Sequence, residues 1–191
     1  MDLSALRATV EESIATKQRL LANCMLDVER LCSAAVDCIL RGGTVYFCGN
    51  GGSSCDAAHA AGELIGWFER KQRPPYAAVA LGHEVPSLTA ISNDAGFEHV
   101  FARQLQALGK PADLLVGFST SGNSRNVVAA AEVAKRIGMP TAALTGENAS
   151  QLSALVDVCV RVPSSNTARI QESHLLCVHL LCAAVEDAAA R

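Results

Sequence analysis

The sequence of 191 residues lacks several features that would assign it to a common class of protein. Only 4% of its residues are aromatic and 18% are charged, and no apolar run is long enough to predict a membrane span. Lys and Arg are scattered, and the net charge is −3, so the composition predicts binding neither to nucleic acid nor to membranes. No basic and then apolar leader follows Met1, so we expect a cytoplasmic protein.

The eight cysteines include no Cys-x-x-Cys pair and lie mostly in apolar patterns. We therefore expect neither structural disulfides nor a cysteine zinc site. What the chain does contain is apolar residues, which make up 50% of it, enough to bury one sizeable core. The mean hydropathy of +0.22 also indicates that subunits cover some apolar helix faces, so we expect a homo-oligomer.

Hydrophobic periodicity predicts alternating strands and helices. Residues from about 3 to 40 have the spacing of two amphipathic helices, and a helix is expected at about 54–68 and another at about 168–190. Apolar runs predict five buried strands, at Thr44–Cys48, Ala77–Leu81, Leu114–Phe118, Thr141–Thr145 and Val156–Val162. This alternation predicts an α/β fold with a parallel sheet flanked by helices.

Two of these strands lead into loops of small residues, and each loop enters a helix. The first loop is Gly49-Asn50-Gly51-Gly52-Ser53-Ser54, and the second is Ser119-Thr120-Ser121-Gly122-Asn123-Ser124. A helix N-terminus presents unpaired N–H donors and a positive dipole end, so the hydroxyl-rich second loop suits a phosphate. The alternative is that its Ser and Thr residues only cap the next helix.

Two predicted helices carry polar side chains within apolar stretches. His59 and Glu63 are four residues apart, whereas Gln171 and His179 are eight residues apart. Taken alone, His59 and Glu63 are an exposed pair, and His174 is a buried histidine bonded to a local carbonyl. If the helices meet, the four side chains could bind Zn²⁺, or Glu63 and His179 could form a metal-free acid/base pair. Spacing leaves both uses open.

These residues resemble those of the sugar isomerase (SIS) domain phosphoheptose isomerases, which convert sedoheptulose 7-phosphate to D-glycero-D-manno-heptose 7-phosphate. The match spans nearly the whole chain and includes Cys48 to Ser53, Asp56 to Glu63, Asn93-Asp94, Ser119 to Ser124, Leu144-Thr145-Gly146 and Arg169 to Glu172 with His179. It implies a three-layer fold with five parallel strands in a single SIS domain over residues 1–191. In that domain, N-terminal helices at about 3–40 serve oligomerisation and precede an α/β core at about 44–191.

The resemblance also implies roles for individual residues. Glu63 and His179 match the family's catalytic pair, and the zinc ligands match His59, Glu63, Gln171 and His179. The substrate-binding residues correspond to Asn50, Gly51, Gly52, Ser53, Glu63, Asn93, Asp94, Ser119, Thr120, Ser121, Ser124 and Gln171. A homotetramer with active sites between subunits is expected, with one Zn²⁺ per subunit.

The family also has a non-catalytic branch that binds the bacterial replication initiator and lacks the catalytic Glu and the final His. Because this chain keeps both residues, we expect an enzyme; a non-catalytic sugar-phosphate binder or an isomerase of another ketose phosphate is the alternative. Three departures bear on substrate choice. Trp67 stands where many relatives have Arg, and Arg70 is the candidate to replace that Arg. The loop 69–73 is one residue longer than in close relatives. Ala168 stands where some relatives have Asp.

Overall fold

The centre of the structure is a parallel sheet of five strands, of which the three central ones are fully buried. The computed structural model describes residues 2–189 and contains β1 (Val45–Cys48), β2 (Ala78–Ala80), β3 (Leu114–Ser119), β4 (Thr141–Thr145) and β5 (Val158–Arg161). Their order across the sheet is β2-β1-β3-β4-β5, and every neighbouring pair is parallel. The predicted α/β class and the five parallel strands are confirmed.

Helices cover both faces of this sheet. They are α1 (Leu3–Asn23), α2 (Met25–Leu40), α3 (Gly52–Ile65), α4 (Val85–Ala95), α5 (Val100–Leu108), α6 (Arg125–Arg136), α7 (Gln151–Leu155) and α8 (Thr167–Ala189), with one 3₁₀ turn at Phe97–His99. On one face α2, α3 and α8 pack against strand residues such as Phe47 and Phe118. On the other, α5, α6 and α7 pack against residues such as Tyr46 and Leu115. The result is the expected three layers.

The strand order creates one place where ligands bind preferentially. The chain passes from β1 to β2 on one side and then returns to β3 on the other side, so β1 and β3 are neighbours whose following loops diverge. In open α/β sheets, the crevice at the carboxyl ends of such strands is the usual binding site. Because Cys48 pairs with Gly117, the loops at 49–52 and 119–124 both leave the sheet at this crevice.

Helix α3 differs from the prediction at both ends. It begins at Gly52, two residues before the expected start, and it ends at Ile65 instead of continuing to about 68. The helix ends early because the backbone N–H groups of Phe68, Glu69 and Arg70 donate to the Glu186 carboxylate rather than to preceding helix carbonyls. A distant acceptor therefore terminates the helix, which periodicity along the sequence does not reveal.

The other boundaries are close to the predicted ones. Strand β5 is shorter than its apolar run, and α8 begins one residue early. Its predicted last residue, 190, lies outside the described residues. No helix within residues 2–189 is long and apolar enough to cross a membrane.

Helix α1 exposes apolar side chains along one side. Leu3, Leu6, Val10 and Ile14 are between 47% and 62% exposed. An adjacent side of the helix is held to α8 by polar contacts, in which the buried Arg169 donates to the Thr9 carbonyl and Ser13 donates to Glu172. The apolar periodicity of this helix thus faces away from the core of its own chain.

Candidate active site

The hydroxyl-rich loop between β3 and α6 has its side chains turned towards one another. The hydroxyl oxygens of Ser119 and Ser124 are 2.9 Å apart, and those of Ser119 and Ser121 are 3.4 Å apart. Ser119 is buried, whereas Thr120, Ser121 and Ser124 remain accessible to different degrees. Three hydroxyls therefore converge where β3 ends and α6 begins, which is a suitable arrangement for donating to several oxygens of one anion.

The position of Ser124 tells against helix capping as the role of this loop. Ser124 is the N-cap residue of α6, yet its side chain makes no capping hydrogen bond. Its hydroxyl instead pairs with Ser119. By contrast, Ser150 caps the short helix α7 with a complete capping box. The chain thus uses a serine cap elsewhere, while in this loop Ser119 and Ser124 pair with each other and Ser121 accepts from the Asn123 N–H over 3.2 Å.

The loop is held rigidly from behind. Gly122 has a φ of +66°, a left-handed conformation, and a Cβ added there would lie 2.1 Å from the hydroxyl oxygen of Ser150. The Leu152 N–H donates to the Gly122 carbonyl, and the Gly146 N–H donates to the Thr120 carbonyl. Only glycine meets both the backbone and the packing demand at this position. The loop is therefore preorganised without a ligand.

A pair of amides joins the two loops of the crevice. Asn50 donates to the side-chain oxygen of Asn126, and Asn126 donates back to Asn50, each over 2.8 Å. Asn126 is 3% exposed and lies in the first turn of α6. In this structure the amide of Asn50, a predicted sugar contact, aligns the first loop with the second. Sequence analysis missed Asn126, whose signal was a polar residue at the start of an otherwise apolar helix face.

Three of the predicted residues meet where α3 packs on α8. The Nε2 atoms of His59 and His179 are 3.0 Å apart, and Glu63 Oε1 is 3.5 Å from His59 Nε2. The ring of Phe68 stacks on His179 at 5.4 Å between centroids. Because only one proton can lie between two ring nitrogens, one imidazole presents a bare lone pair to the other. The cluster thus consists of two imidazole nitrogens hydrogen-bonded to each other and a carboxylate beside them.

Gln171 lies apart from this cluster in the same chain. A Cβ on Gly52 would be 2.6 Å from Gln171 Nε2, so the amide packs on the first turn of α3. Gln171 and His179 are eight residues apart on α8, which is about 12 Å along a helix. The structure therefore brings together His59, Glu63 and His179 and puts Gln171 beside the glycine-rich loop.

The donor atoms of this cluster are spaced close to the distances that zinc requires. Ligand atoms at about 2.0–2.1 Å from a tetrahedral Zn²⁺ lie about 3.3 Å from one another, and the observed separations of 3.0 Å and 3.5 Å fall on either side of that value. Two imidazoles and a carboxylate are also chemically typical of a catalytic zinc site. Across residues 2–189, however, no three His, Cys, Asp or Glu side chains are arranged to hold a metal ion as they stand. The histidine pair fits the ion, and Glu63 would have to adjust.

Two further titratable groups, the half-buried Asp56 and the buried His174, lie on α3 and α8. Burial raises the pKa of the Asp56 carboxyl to about 6, although His59 opposes the shift. His174 accords with its predicted structural role, because its Nε2 pairs with the Thr145 carbonyl at 3.2 Å and burial lowers its pKa to about 4. It is therefore a neutral core histidine at physiological pH.

Asn93 and Asp94 lie at the end of α4, exposed, with Asn93 donating to Asp94. Within residues 2–189 no hydrogen bond joins them to the hydroxyl-rich loop or to the His59 cluster. Gly51 and Gly52 are exposed at the start of α3, whereas Ser53 is buried. The predicted substrate residues thus divide into a crevice group and a separate pair on α4.

Comparisons with known proteins agree over nearly the whole chain. A sequence model of the SIS domain matches residues 10–146. The chain is 45% identical to a protein named phosphoheptose isomerase from Akkermansia muciniphila, with 91% of each chain covered. Solved phosphoheptose isomerase structures superpose closely. The one from Neisseria gonorrhoeae has a TM-score of 0.90 at 40% identity, covering 96% of this chain and 98% of that one. The one from Francisella tularensis has a TM-score of 0.94 at 37% identity, covering 98% and 99%.

The rigidity of the hydroxyl-rich loop gives a first prediction. Gly122→Ala should raise the Kd for inorganic phosphate by at least about 10-fold, because the added methyl group displaces the loop against Ser150. Isothermal titration calorimetry checks this. Gly138→Ala is the matched control, since Gly138 also has a positive φ, +74°, but has open space around its Cβ position. An equal Kd for the wild type and Gly122→Ala would contradict a phosphate role for the loop.

Proposed function

Because the chain belongs to the SIS domain family and, within it, to the phosphoheptose isomerases, we propose that it converts sedoheptulose 7-phosphate to D-glycero-D-manno-heptose 7-phosphate. It is an enzyme, an aldose–ketose isomerase of heptose phosphates. The observation that carries the assignment is the meeting of His59, Glu63 and His179, from helices far apart in sequence, beside the β1–β3 crevice. A sugar-phosphate binder without catalysis has no need of this cluster.

The phosphate end of the substrate is assigned to the hydroxyl-rich loop. Ser119, Ser121 and Ser124 would donate to the phosphate oxygens, and Thr120, next to Ser121, would do the same from the accessible side. The positive end of the α6 dipole stabilises the dianion further. The phosphate does not change during the reaction, so the loop binds it equally well in the substrate and in the transition state. The loop therefore governs KM rather than the chemical step.

The reacting end is assigned to Glu63 and His179. Isomerisation requires a base that takes a proton from the carbon beside the carbonyl and returns it to the neighbouring carbon through an enediol. The Glu63 carboxylate, with 23% of its side chain exposed, is our proposed base. His179 would transfer protons to and from the substrate oxygens, because its ring nitrogen faces the same space. Gly51, which has open space around its Cβ position, leaves room for the sugar near the loops.

Zinc is proposed as a cofactor held by His59 and His179, with Glu63 as a third ligand; Gln171 completes the set that the family resemblance implies. When bound, the ion would act as a Lewis acid on the two oxygens of the reacting carbons. The support is the close approach of the two imidazole nitrogens and the chemistry of the donors. With or without zinc, Glu63 is the proposed base for proton transfer at carbon.

A homotetramer with active sites between subunits is also proposed. Its support is the row of exposed apolar residues on α1, Leu3, Leu6, Val10 and Ile14, which water would otherwise cover. The residues beside the reactive cluster include the exposed Trp67, which a second subunit or the substrate could cover. The cytoplasm is the proposed compartment, because all eight cysteines are free thiols, as expected in a reducing environment.

Removing the proposed base gives the second prediction. Glu63→Gln should lower kcat by about 10³-fold, because an amide cannot accept the proton from carbon, and should change KM by less than about 3-fold. A discontinuous assay of heptose 7-phosphate formation measures both. Glu132→Gln on the exposed side of α6 is the control and should behave as the wild type. If Glu63→Gln retains its kcat, Glu63 is not the base.

The same assay separates the alternatives on substrate. Conversion of another ketose phosphate, with sedoheptulose 7-phosphate left unchanged, would keep the reaction class and replace the substrate. No conversion of any ketose phosphate would favour the non-catalytic alternative.

The third prediction concerns zinc content. Protein purified and equilibrated with Zn²⁺ should contain about one ion per subunit by elemental analysis, and His59→Ala or His179→Ala should lose most of it. His83→Ala is the control, because His83 contacts Ser54 rather than the cluster. Equal zinc content in the wild type and in both cluster variants would contradict the proposed ligands, whatever the activity.

The fourth prediction concerns assembly. The wild type should have the mass of four 20.0 kDa chains by light scattering, and Leu6→Glu with Val10→Glu should give smaller species, since burying carboxylates is costly. Ala8→Glu is the control, because Ala8 is exposed on the opposite side of α1. An unchanged mass for the double variant would exclude this row of side chains from the interface.

A further inference from the structure

A buried carboxylate on α8 fixes the backbone of the segment that follows α3. Glu186, with 2% of its side chain exposed, accepts hydrogen bonds from three consecutive backbone N–H groups, those of Phe68, Glu69 and Arg70, over 2.8–3.1 Å. These groups belong to residues 66–73, which we call the strap. The carboxylate thus takes the place of helix carbonyls and turns the strap across α8.

The same carboxylate holds Arg73 at the other end of the strap. Arg73 Nε donates to Glu186 Oε1 over 2.6 Å, and only 7% of the Arg73 side chain is exposed. The guanidinium also donates to the carbonyl of Glu63 over 2.6 Å and to the carbonyl of Leu64 over 2.9 Å. Carbonyls in the last turn of a helix lack helical partners, so Arg73 satisfies the end of α3 at the residue that carries the proposed base.

The strap also controls the surroundings of His179. The ring of Phe68 lies nearly parallel to the His179 ring, with 29° between planes and 5.4 Å between centroids. The Phe68 backbone is fixed by Glu186, which is seven residues beyond His179 on α8. The Glu186 carboxylate is therefore connected to both members of the proposed catalytic pair. It contacts the Glu63 backbone through Arg73 and the His179 ring through Phe68.

Stability alone does not account for an ion pair in this position. Removing two charges from water is costly, and apolar residues of similar volume stabilise many cores as well or better. The ion pair instead fixes positions, because Glu186 binds the backbone N–H groups of the strap and Arg73 binds the last carbonyls of α3. We propose that Glu186 and Arg73 are positioning residues for the isomerisation, holding the Glu63 backbone and the His179 ring in their reactive geometry. This inference rests on the proposed function of Glu63 and His179.

The ionisation of Glu186 agrees with this role. Burial would raise the pKa of its carboxyl, but the hydrogen bonds from Arg73 and the strap N–H groups outweigh burial and hold the pKa below its usual value. The carboxylate is therefore charged at neutral pH, and its contribution to folding stability is lost only as the pH falls through the lowered pKa.

The test is Glu186→Gln, which keeps the side-chain shape but removes the charge. Its kcat should fall between about 10-fold and 100-fold, because small displacements of reacting groups have effects of that size. KM should change by less than about 2-fold, because the hydroxyl-rich loop lies between β3 and α6 and, in the described part of the chain, shares no hydrogen bond with Glu186. Asp187→Asn is the matched control. It removes an exposed ion pair between the next residue of α8 and the Arg70 side chain, and it should leave both constants unchanged.

A double-mutant cycle distinguishes positioning from a general loss of stability. Phe68→Leu leaves the strap N–H groups in place but removes the ring from His179. If Glu186 acts partly through that ring, the two effects on kcat should be clearly less than additive. The proposal is overturned if the two effects are fully additive and Glu186→Gln lowers kcat and the thermal midpoint only as much as Leu105→Ala, a core variant on the other face of the sheet.

A measurement without turnover separates this inference from the proposed function. The imidazole ¹H–¹⁵N resonances of His179 should shift in Glu186→Gln and stay in place in Asp187→Asn, with those of His83 unchanged in both. If the wild type lacks isomerase activity but the His179 signals shift as expected, the function fails and the positioning stands. If the wild type is active and Glu186→Gln matches it in kcat and in His179 resonances, the positioning fails and the function stands.

Discussion

The lateral packing of α3 on α8 is the contact on which the rest of the site depends. Gly52 meets Gln171 at the start of the two helices, and His59 meets His179 two turns later, so the helices run side by side in the same direction. Small residues make this possible, because a Cβ at Gly52 would collide with the Gln171 amide. Without this alignment, His59 and His179, 120 residues apart in sequence, would not approach each other.

This alignment gives the site two separate ends. The glycine-rich and hydroxyl-rich loops lie at the carboxyl ends of β1 and β3, joined by the reciprocal amides of Asn50 and Asn126. The histidine pair lies about 10 Å further along α3, at seven residues from Gly52. An elongated sugar phosphate suits this separation, since its phosphate and its reacting carbons are at opposite ends. Phosphate binding is accordingly assigned to the loop between β3 and α6, and the chemistry to α3 and α8.

Much of this could be predicted from the sequence where the signal is local. Apolar runs predicted the five strands, and the Ser119–Ser124 loop was recognisable from its composition and its place before a helix. The four-residue spacing of His59 and Glu63 gave their common face. The interactions that could not be predicted depend on distant partners. The end of α3 is determined by Glu186, more than 110 residues away, and the engagement of Asn50 depends on Asn126. Periodicity carries no information about such pairs. It likewise does not show that Gln171 lies apart from His179 in the folded chain.

We expect this chain to move a proton between adjacent carbons of a heptose phosphate. Proton NMR of sedoheptulose 7-phosphate incubated with the wild-type chain in D₂O tests it most directly, because a base that forms an enediol exchanges its proton with solvent. We expect deuterium to replace one of the two C1 protons, which halves the C1 proton signal, and aldose anomeric signals to appear. Unchanged C1 signals and no anomeric signals, from protein saturated with Zn²⁺, would contradict it.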